Sequence, residues 1–200
     1  MKENAMSFHK PTRRELAFHE AGHAYVYAAI TQRGEPQELG LGEDATGAHG
    51  WCRRNTLLYT EITLERVGED VLPWIRWQAA AEIAIAMAGS VAEFRRRHGQ
   101  FNGLLIIVQN LELFLKPGAF DVDGDFERVR RSMDYISPPD PLATLRRLVG
   151  VTDEIVDRNW RAILLLGRRL LERGVMGEDE LIDWFDGRPA KPWKEPLTMD

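Results

Sequence analysis

The residues best suited to chemistry are two histidines and a glutamate near the N-terminus, in the run His19-Glu20-Ala21-Gly22-His23. On an α-helix, residues four positions apart lie one turn apart on the same face, so His19 and His23 can direct both imidazoles at one metal ion. Imidazole nitrogen is a common ligand of zinc. Glu20, about 100° further round the helix, can take a proton from the metal-bound water as that water attacks a carbonyl group. The spacing therefore predicts a metal site with hydrolytic chemistry.

A hydrolytic zinc site has three protein ligands and one open position, and the motif supplies only two of the three. Imidazole and carboxylate groups elsewhere in the chain are the candidates for the third: His9, His49, His98, Asp121, Asp123, Asp125 and Glu127. None of them stands at the third-ligand spacing of the longer HExxHxxGxxH pattern. From the residues alone, the third ligand stays open.

The motif needs a helix to present it, and the flanking sequence supplies the signals for one. Thr12 followed three residues later by Glu15 forms a capping box, which predicts a helix start, and Gly34 and Pro36 predict the helix end. Gly22, in the middle of this helix, costs about 1 kcal/mol relative to alanine. We therefore expect another element to approach the helix closely at that position.

Glycines interrupt the chain between residues 37 and 63, where three short segments favour extended structure: Glu38–Leu41, Gly50–Arg53 and Leu57–Leu64. We interpret them as a small irregular hairpin or three-stranded piece. Trp51 lies beside the predicted edge strand, and exposed strand edges accept peptides by adding a strand. This residue either flanks a peptide groove or belongs to the hydrophobic packing.

After Pro73 the sequence pattern is almost entirely helical. The predicted helices are, in chain order, residues 74–97, Phe101–Leu115, Asp125–Tyr135, Pro141–Leu148, Thr152–Arg173 and Glu178–Phe185. We therefore predict a mainly α (α+β) fold in three parts: a flexible N-terminus over residues 1–11, one domain over 12–186, and a loose proline-rich tail over 187–200.

Composition excludes several classes of protein. The 200 residues carry a net charge of −5, which argues against nucleic-acid binding, and a single cysteine, which excludes a disulfide framework. The first residues lack the apolar segment of a secretory signal, and no run of about 20 apolar residues predicts a membrane span. A phosphate loop of the GxxxxGK(S/T) type is also missing. We expect a cytoplasmic protein without nucleic-acid binding or membrane insertion.

The sequence around the motif resembles that of a known family. Leu16–Ala24 is similar to the zinc helix of the FtsH-type ATP-dependent zinc metalloproteases, whose motif is A-x-HEAGHA. Similarity to the peptidase domain of that family continues in the same order along the chain, through its short hairpin, its ALGGRAAE helix, its TGASNDLERAT segment and its final helices: Glu38–Trp51, Ile85–Glu93, Gly118–Arg128, Thr152–Arg173 and Val175–Phe185. The resemblance covers residues 12–186.

This resemblance implies a helical zincin-like peptidase domain that binds one Zn²⁺. The implied roles are as follows: His19, His23 and Asp125 as metal ligands, with Glu20 as catalytic base. Asp123 or Asp121 would replace Asp125 if the register differs slightly. The family's edge strand aligns substrate, which implies substrate-binding roles for His49, Gly50 and Trp51.

In the family, an ATPase module unfolds the substrate and threads it into a hexameric peptidase ring. Because these 200 residues carry neither its phosphate loop nor a membrane anchor, we expect a stand-alone zinc metalloendopeptidase that acts on peptides or on unfolded or flexible protein. A separate ATPase or adaptor protein and a homo-oligomer are the further partners that this implies.

A catalytically silent, metal-stabilised protein-binding module that reuses the scaffold is the alternative. It is favoured by two departures from the family pattern, since Val129-Arg130 replaces Ala-Thr and Ala88-Gly89 replaces paired glycines. The intact HExxH motif favours the enzyme, because a scaffold alone has no need of Glu20.

Overall fold

The computed structural model describes residues 11–32, 34–45, 47–54, 71–116, 124–195 and 197. Its helices and strands, in chain order, are α1 (Arg13–Thr31), β1 (Glu38–Asp44), β2 (Gly47–Arg53), α2 (Leu72–His98), α3 (Gln100–Gln109), α4 (Leu111–Leu115), α5 (Asp125–Ile136), α6 (Pro141–Arg173), β3 (Val175–Gly177) and α7 (Glu178–Gly187). The predicted mainly helical fold, with a small β element between the first two helices, is confirmed. Within these ranges, no helix combines the length and apolar character needed to cross a membrane.

The central helix, α1, begins where the sequence predicts. Thr12 Oγ1 accepts a hydrogen bond from the backbone N–H of Glu15 at 3.2 Å, and the Glu15 carboxylate accepts one from the backbone N–H of Thr12 at 2.7 Å. These two bonds satisfy N–H groups that have no partner within the helix. Because α2, α6 and the sheet all contact α1, residues 16–27 of this helix are buried on every side.

The predicted close approach at Gly22 is confirmed, and the approaching element is α2. A Cβ atom at this position would lie 2.6 Å from the carbonyl oxygen of Ala88 and 2.7 Å from the Cβ of Ala92. Both distances are shorter than van der Waals contact, and one of them involves backbone. Glycine here lets the two helix backbones pack closely, which brings α2 against the face of α1 that carries the histidines.

The sheet has three antiparallel strands in the order β2-β1-β3, so β1 is central and β2 and β3 are its two outer strands within the described residues. In the hairpin, Gly40 lies opposite Trp51 and Leu41 opposite Gly50. The third strand of the described sheet is one that the sequence did not predict. Leu57–Leu64, the predicted candidate, lies outside the described residues, whereas β3 follows α6 and is too short to give a periodic signal.

The apolar stretch Phe101–Leu115, predicted as one helix, is divided into α3 and α4, so that prediction is wrong. The break falls at Asn110, whose backbone φ is −117°. Its side-chain amide donates a hydrogen bond to the carbonyl of Ile106 at 2.7 Å. Asparagine side chains compete in this way with backbone bonding and favour helix ends.

In contrast, Pro141–Leu148 and Thr152–Arg173, predicted as separate helices, form the single 33-residue helix α6. Buried residues continue across the predicted gap through Leu148, Val149 and Thr152. Gly150 is exposed, and a Cβ there would meet nothing within 4 Å. Packing along one continuous face therefore outweighs the helix-weakening effect of the glycine.

The segment beyond α7 was expected to be a loose tail, but its described part packs against the domain. Trp193 and Leu197 are 6% and 2% exposed. The backbone N–H of Trp193 donates to the carbonyl of Ala29 at 2.9 Å, and that of Lys191 donates to Asn159 Oδ1 at 2.8 Å. The expectation of a loose tail is therefore wrong for the described part. The composition of the tail did not show that two of its apolar side chains, Trp193 and Leu197, are buried. The N-terminal segment expected to be flexible lies, apart from Pro11, outside the described residues.

Candidate metal centre and cleft

The structure brings together the two histidines of the motif and one aspartate from a distant helix. His19 and His23 lie on α1, and Asp125 is the first residue of α5. Asp125 Oδ2 lies 3.2 Å from His19 Nε2 and 3.0 Å from His23 Nε2. The three side chains are buried, and their potential ligand atoms all lie within 4.8 Å of one another, so the group could hold a metal ion.

The start of α5 explains why a carboxylate occupies this place. Gly124, with a left-handed φ of 75°, precedes the helix, and α5 packs on α2. The first turn of a helix favours a negative charge because its N–H groups carry partial positive charge. Asp125 therefore lies at a position that tolerates a buried carboxylate, and the packing of α5 on α2 directs it at the histidines.

The hydrogen-bond partners of the two imidazoles show that this group needs a cation or extra protons. His23 Nδ1 lies 2.7 Å from the carbonyl oxygen of Ile85, which can only accept, so Nδ1 carries the hydrogen. In the neutral ring, Nε2 is then an acceptor, and it faces a carboxylate oxygen that is also an acceptor. The Nδ1 of His19 likewise lies 3.4 Å from Glu93 Oε2, while its Nε2 faces Asp125.

The pKa values of the metal-free group reflect the same contact between imidazole nitrogens and a carboxylate. Burial disfavours a charge on His19, but the hydrogen bonds to Asp125 and Glu93 outweigh burial and hold the pKa of this imidazole well above its ordinary value. Burial alone would raise the pKa of the Asp125 carboxyl, yet the charge of His23 and the hydrogen bonds from both histidines hold it well below its usual range. The site thus favours positive charge next to a carboxylate.

The spacing of the three side chains fits a metal ion. Ligands about 2.0–2.1 Å from a tetrahedral Zn²⁺ are about 3.3 Å from one another, close to the 3.0 and 3.2 Å between Asp125 and the two imidazoles. Gly89 of α2 forms the floor of the group. A Cβ there would lie 2.3 Å from His19 Nε2 and 2.5 Å from His23 Nε2. Glycine at this position leaves room for both rings.

The other candidate ligands that the structure describes lie elsewhere. His49 lies on β2 over Gly42, and His98 stacks on Phe94 at the end of α2 with ring centroids 5.9 Å apart. Glu127 is exposed and pairs with Arg130 at 2.6 Å. The remaining three candidates lie outside the described residues: His9, Asp121 and Asp123.

A cleft of about 600 Å³ opens beside the group. Glu20 and His23 line it from α1, residues 50–53 from β2, and Asp125 from α5. Glu20 is 1% exposed and lies against the outer strand, since a Cβ on Gly50 would be 2.6 Å from its Oε1. The candidate base, two candidate ligands and a strand edge therefore share one cavity.

Two of the three residues predicted to bind substrate line the cleft, and the third, His49, stacks on the Trp51 ring with centroids 5.9 Å apart. Gly50 and Trp51 line the cleft, whereas His49 does not. The indole of Trp51 lies over Gly40, and its N–H donates to Glu38 at 2.5 Å. Trp51 thus combines packing on the sheet with a place at the cleft wall.

Sequence reasoning missed one buried ion pair in the cleft wall. Both Nη atoms of Arg54 donate to the Glu82 carboxylate, at 3.0 and 2.8 Å, and the side chains are 4% and 5% exposed. Burial opposes the charge of Arg54, but this bidentate pairing raises its pKa. In the sequence, the buried pair is indicated by Glu82, a carboxylate inside the apolar run between Ala79 and Ala92.

No protein-family model matches the chain, and the search of curated proteins gave no match. The fold and the site define the class to which the molecule belongs. It is a mainly helical protein with a buried His₂Asp group that could hold a metal ion at the wall of an open cleft.

Proposed function

We propose that this chain is a zinc-dependent peptidase that acts on unfolded or flexible polypeptide, built like the peptidase domain of the FtsH-type proteases. The supporting observation is the convergence of three features on one cavity. The His₂Asp group, the carboxylate of Glu20 and the outer strand β2 all line or adjoin the same cleft. A buried metal site without a hydrolytic role would require neither Glu20 nor the strand edge there.

His19, His23 and Asp125 would hold the ion. Two imidazoles and one carboxylate form a donor set suited to zinc and leave one position open. When bound there, Zn²⁺ would polarise a carbonyl group and lower the pKa of water at the open position. The carbonyl of Ile85 and the carboxylate of Glu93 fix the Nδ1–H of the two imidazoles, which directs each Nε2 at the ion.

Glu20 would carry the proton. It follows His19 directly in α1 and lies in the cleft, so its carboxylate is next to the ligands without being one of them. Its Oε1 is held against Gly50, on the wall where a substrate backbone would lie. From this place the carboxylate can accept the proton of the attacking water and return it to the leaving amine.

Strand β2 would position the substrate. An outer strand offers backbone N–H and C=O groups that an extended peptide can pair with. Only a segment without its own secondary structure can pair in this way, which is the reason to propose unfolded or flexible polypeptide. Because Gly50 lies against Glu20, pairing along β2 would carry a peptide bond past the base.

The test combines metal analysis with one isosteric variant. We expect one zinc per chain after incubation with the metal at neutral pH, and cleavage of dye-quenched casein. Glu20→Gln should keep the zinc and lower the rate at least about 10²-fold. Glu172→Gln, an exposed position on α6, controls for the lost charge.

The outcomes separate the candidate functions. Stoichiometric zinc that raises the melting temperature while casein and unfolded peptides stay intact would support the silent binding module. Failure to bind zinc at all would refute both candidates. Cleavage that survives in Glu20→Gln would refute the assignment of the base.

A further inference from the structure

The cleft differs in charge from the molecule as a whole. The chain has a net charge of −5, yet four arginines line the cleft against three carboxylates. The arginines come from two elements: Arg53 and Arg54 from the end of β2, and Arg128 and Arg131 from α5. A cationic cavity in an anionic protein concentrates anionic ligands near the site.

Carboxylates compensate two of the four arginines, so the positive charge open to a ligand comes from α5. Arg53 Nη1 lies 3.5 Å from Glu38 Oε1. Glu82 is held by the bidentate contact with Arg54. Asp125 faces both imidazoles and would share the charge of a bound metal ion. Glu20 is the third acid of the cleft, and a divalent cation next to it would make the cavity more positive.

The arginines of α5 are the ones best placed to meet a ligand. Arg128 and Arg131 are exposed and lie on the cleft face of the helix, together with Ser132 and Tyr135. Within the described residues, no carboxylate lies within ion-pair distance of Arg128. The carboxylate at that distance from Arg131 is Glu127, whose Oε1 lies 3.9 Å from the guanidinium group. Both guanidinium groups therefore keep donors for an incoming anion.

We propose that the cleft selects acidic peptides, with an aspartate or glutamate side chain of the substrate bound by Arg128 and Arg131. The proposal rests on the peptidase function above and names its substrate class. Guanidinium groups bind carboxylates through paired, charge-assisted hydrogen bonds, which matches this pair of donors to an acidic side chain.

The dimensions of α5 locate the acidic residue relative to the scissile bond. With a rise of 1.5 Å per residue, Arg128 and Arg131 lie about 4.5 and 9 Å along the helix axis from Asp125. An extended peptide advances about 3.3 Å per residue. The carboxylate that these arginines bind should therefore belong to a residue within about three positions of the cleaved bond.

Binding can be measured separately from catalysis with zinc-loaded Glu20→Gln protein. The probes are two dye-labelled peptides of twelve residues, identical except that one carries glutamates and the other glutamines at the three positions on each side of a central leucine. Fluorescence anisotropy should show the glutamate peptide binding about tenfold more tightly at low salt. Most of this difference should be lost at about 0.5 M salt, because exposed charges are screened.

Three variants assign the preference to α5. Arg128→Gln and Arg131→Gln, each in the Glu20→Gln background, should reduce the preference while leaving affinity for the glutamine peptide unchanged. Arg131→Glu should favour a third peptide with lysines at the same positions. Arg161→Gln, an exposed arginine of α6 outside the cleft lining, removes the same net charge and should keep the preference.

The same peptides, cleaved by the protein with Glu20 intact, distinguish the two proposals. Cleavage of both peptides at equal rates, with equal binding, would overturn the acidic preference and leave the peptidase function standing. Binding of the glutamate peptide that depends on Arg128 and Arg131, without cleavage of any peptide, would overturn the peptidase function alone. Equal loss of preference in Arg161→Gln would overturn the assignment to α5.

Discussion

Gly89 offers the sharpest test of the metal centre, because its substitution touches the site without altering any proposed ligand. The residue lies in the middle of α2, below the two imidazoles. In Gly89→Ala, the added methyl group would lie 2.3 Å from His19 Nε2 and 2.5 Å from His23 Nε2. Both atoms are the ones that would bind the ion, so the substitution should act on metal affinity directly.

The expected size of the effect follows from these distances. Each ring must withdraw by about 1 Å to reach ordinary contact, whereas metal–ligand distances tolerate only about 0.2 Å. Structural zinc sites with four ligands bind with about 10–16 kcal/mol, so losing one ligand should cost about 3 kcal/mol, or roughly a hundredfold in affinity. The helix itself should gain about 0.5–1 kcal/mol from alanine, which offsets part of the cost of overpacking, typically about 1–3 kcal/mol, so the chain should still fold.

The assay is zinc competition against a chromogenic chelator, with melting temperatures recorded with and without metal. Gly150→Ala is the matched control, since Gly150 also lies within a helix but a Cβ there meets nothing within 4 Å. It should raise the melting temperature by about 2–4 °C, as expected for about 1 kcal/mol in a protein of this size, and leave zinc affinity unchanged.

Two results would refute the reasoning. If folded Gly89→Ala protein binds zinc as tightly as the parent, then the floor of the metal site is not at α2. If Gly150→Ala weakens zinc binding to the same extent, then the effect of alanine is a general one on helix stability and carries no information about the site.

Three further predictions concern the ligands and their surroundings. Asp125→Asn should abolish the zinc-dependent rise in melting temperature and also lower the stability of the metal-free protein near neutral pH, because the lowered pKa of Asp125 means that its ionised form stabilises the fold; a retained zinc-dependent rise would contradict the ligand assignment. Glu93→Ala should weaken zinc affinity about 10–100-fold by freeing the Nδ1–H of His19, and Glu93→Gln, which keeps an acceptor, should weaken it less in the same competition assay. The raised pKa of His19 stabilises the metal-free protein below about pH 6.5, the ordinary pKa of histidine, and this contribution is lost as pH rises through the raised value. Since zinc competes with that proton, the zinc-dependent rise in melting temperature should grow from pH 5.5 to 8, and a flat profile would show that the imidazole is not a ligand.

Features encoded within a few neighbouring residues were predictable from the sequence. The capping box at Thr12 needs only the chemistry of Thr12 and Glu15, and it begins α1 as expected. The requirement for close packing at Gly22 could be inferred from the energetic cost of a glycine within a helix. The relative placement of His19 and His23 follows from helical geometry alone.

Features that depend on tertiary packing were not predictable in the same way. Gly150 is a helix-weakening residue, yet the buried face of α6 continues past it. Asn110 ends α3 through a side-chain bond that many asparagines do not make. Trp193 is anchored by the carbonyl of Ala29 on a helix 164 residues earlier in the chain. For Gly150 and Trp193 the deciding contacts are distant in sequence, whereas for Asn110 the partner is the carbonyl of Ile106, only four residues away, and the sequence does not show whether that bond forms.

The candidate third ligand shows why spatial packing was needed to choose among residues of equal chemistry. Asp125 lies 106 residues from His19, and only the packing of α5 on α2 brings the two within 3.2 Å. A carboxylate at a helix start has a simpler role available, which is to accept hydrogen bonds from its own backbone N–H groups. This carboxylate instead faces the Nε2 atoms of two imidazoles whose Nδ1 atoms are already engaged. Helix capping does not require this arrangement, whereas a bound cation would satisfy the carboxylate and both Nε2 atoms. The geometry therefore favours Asp125 as a ligand.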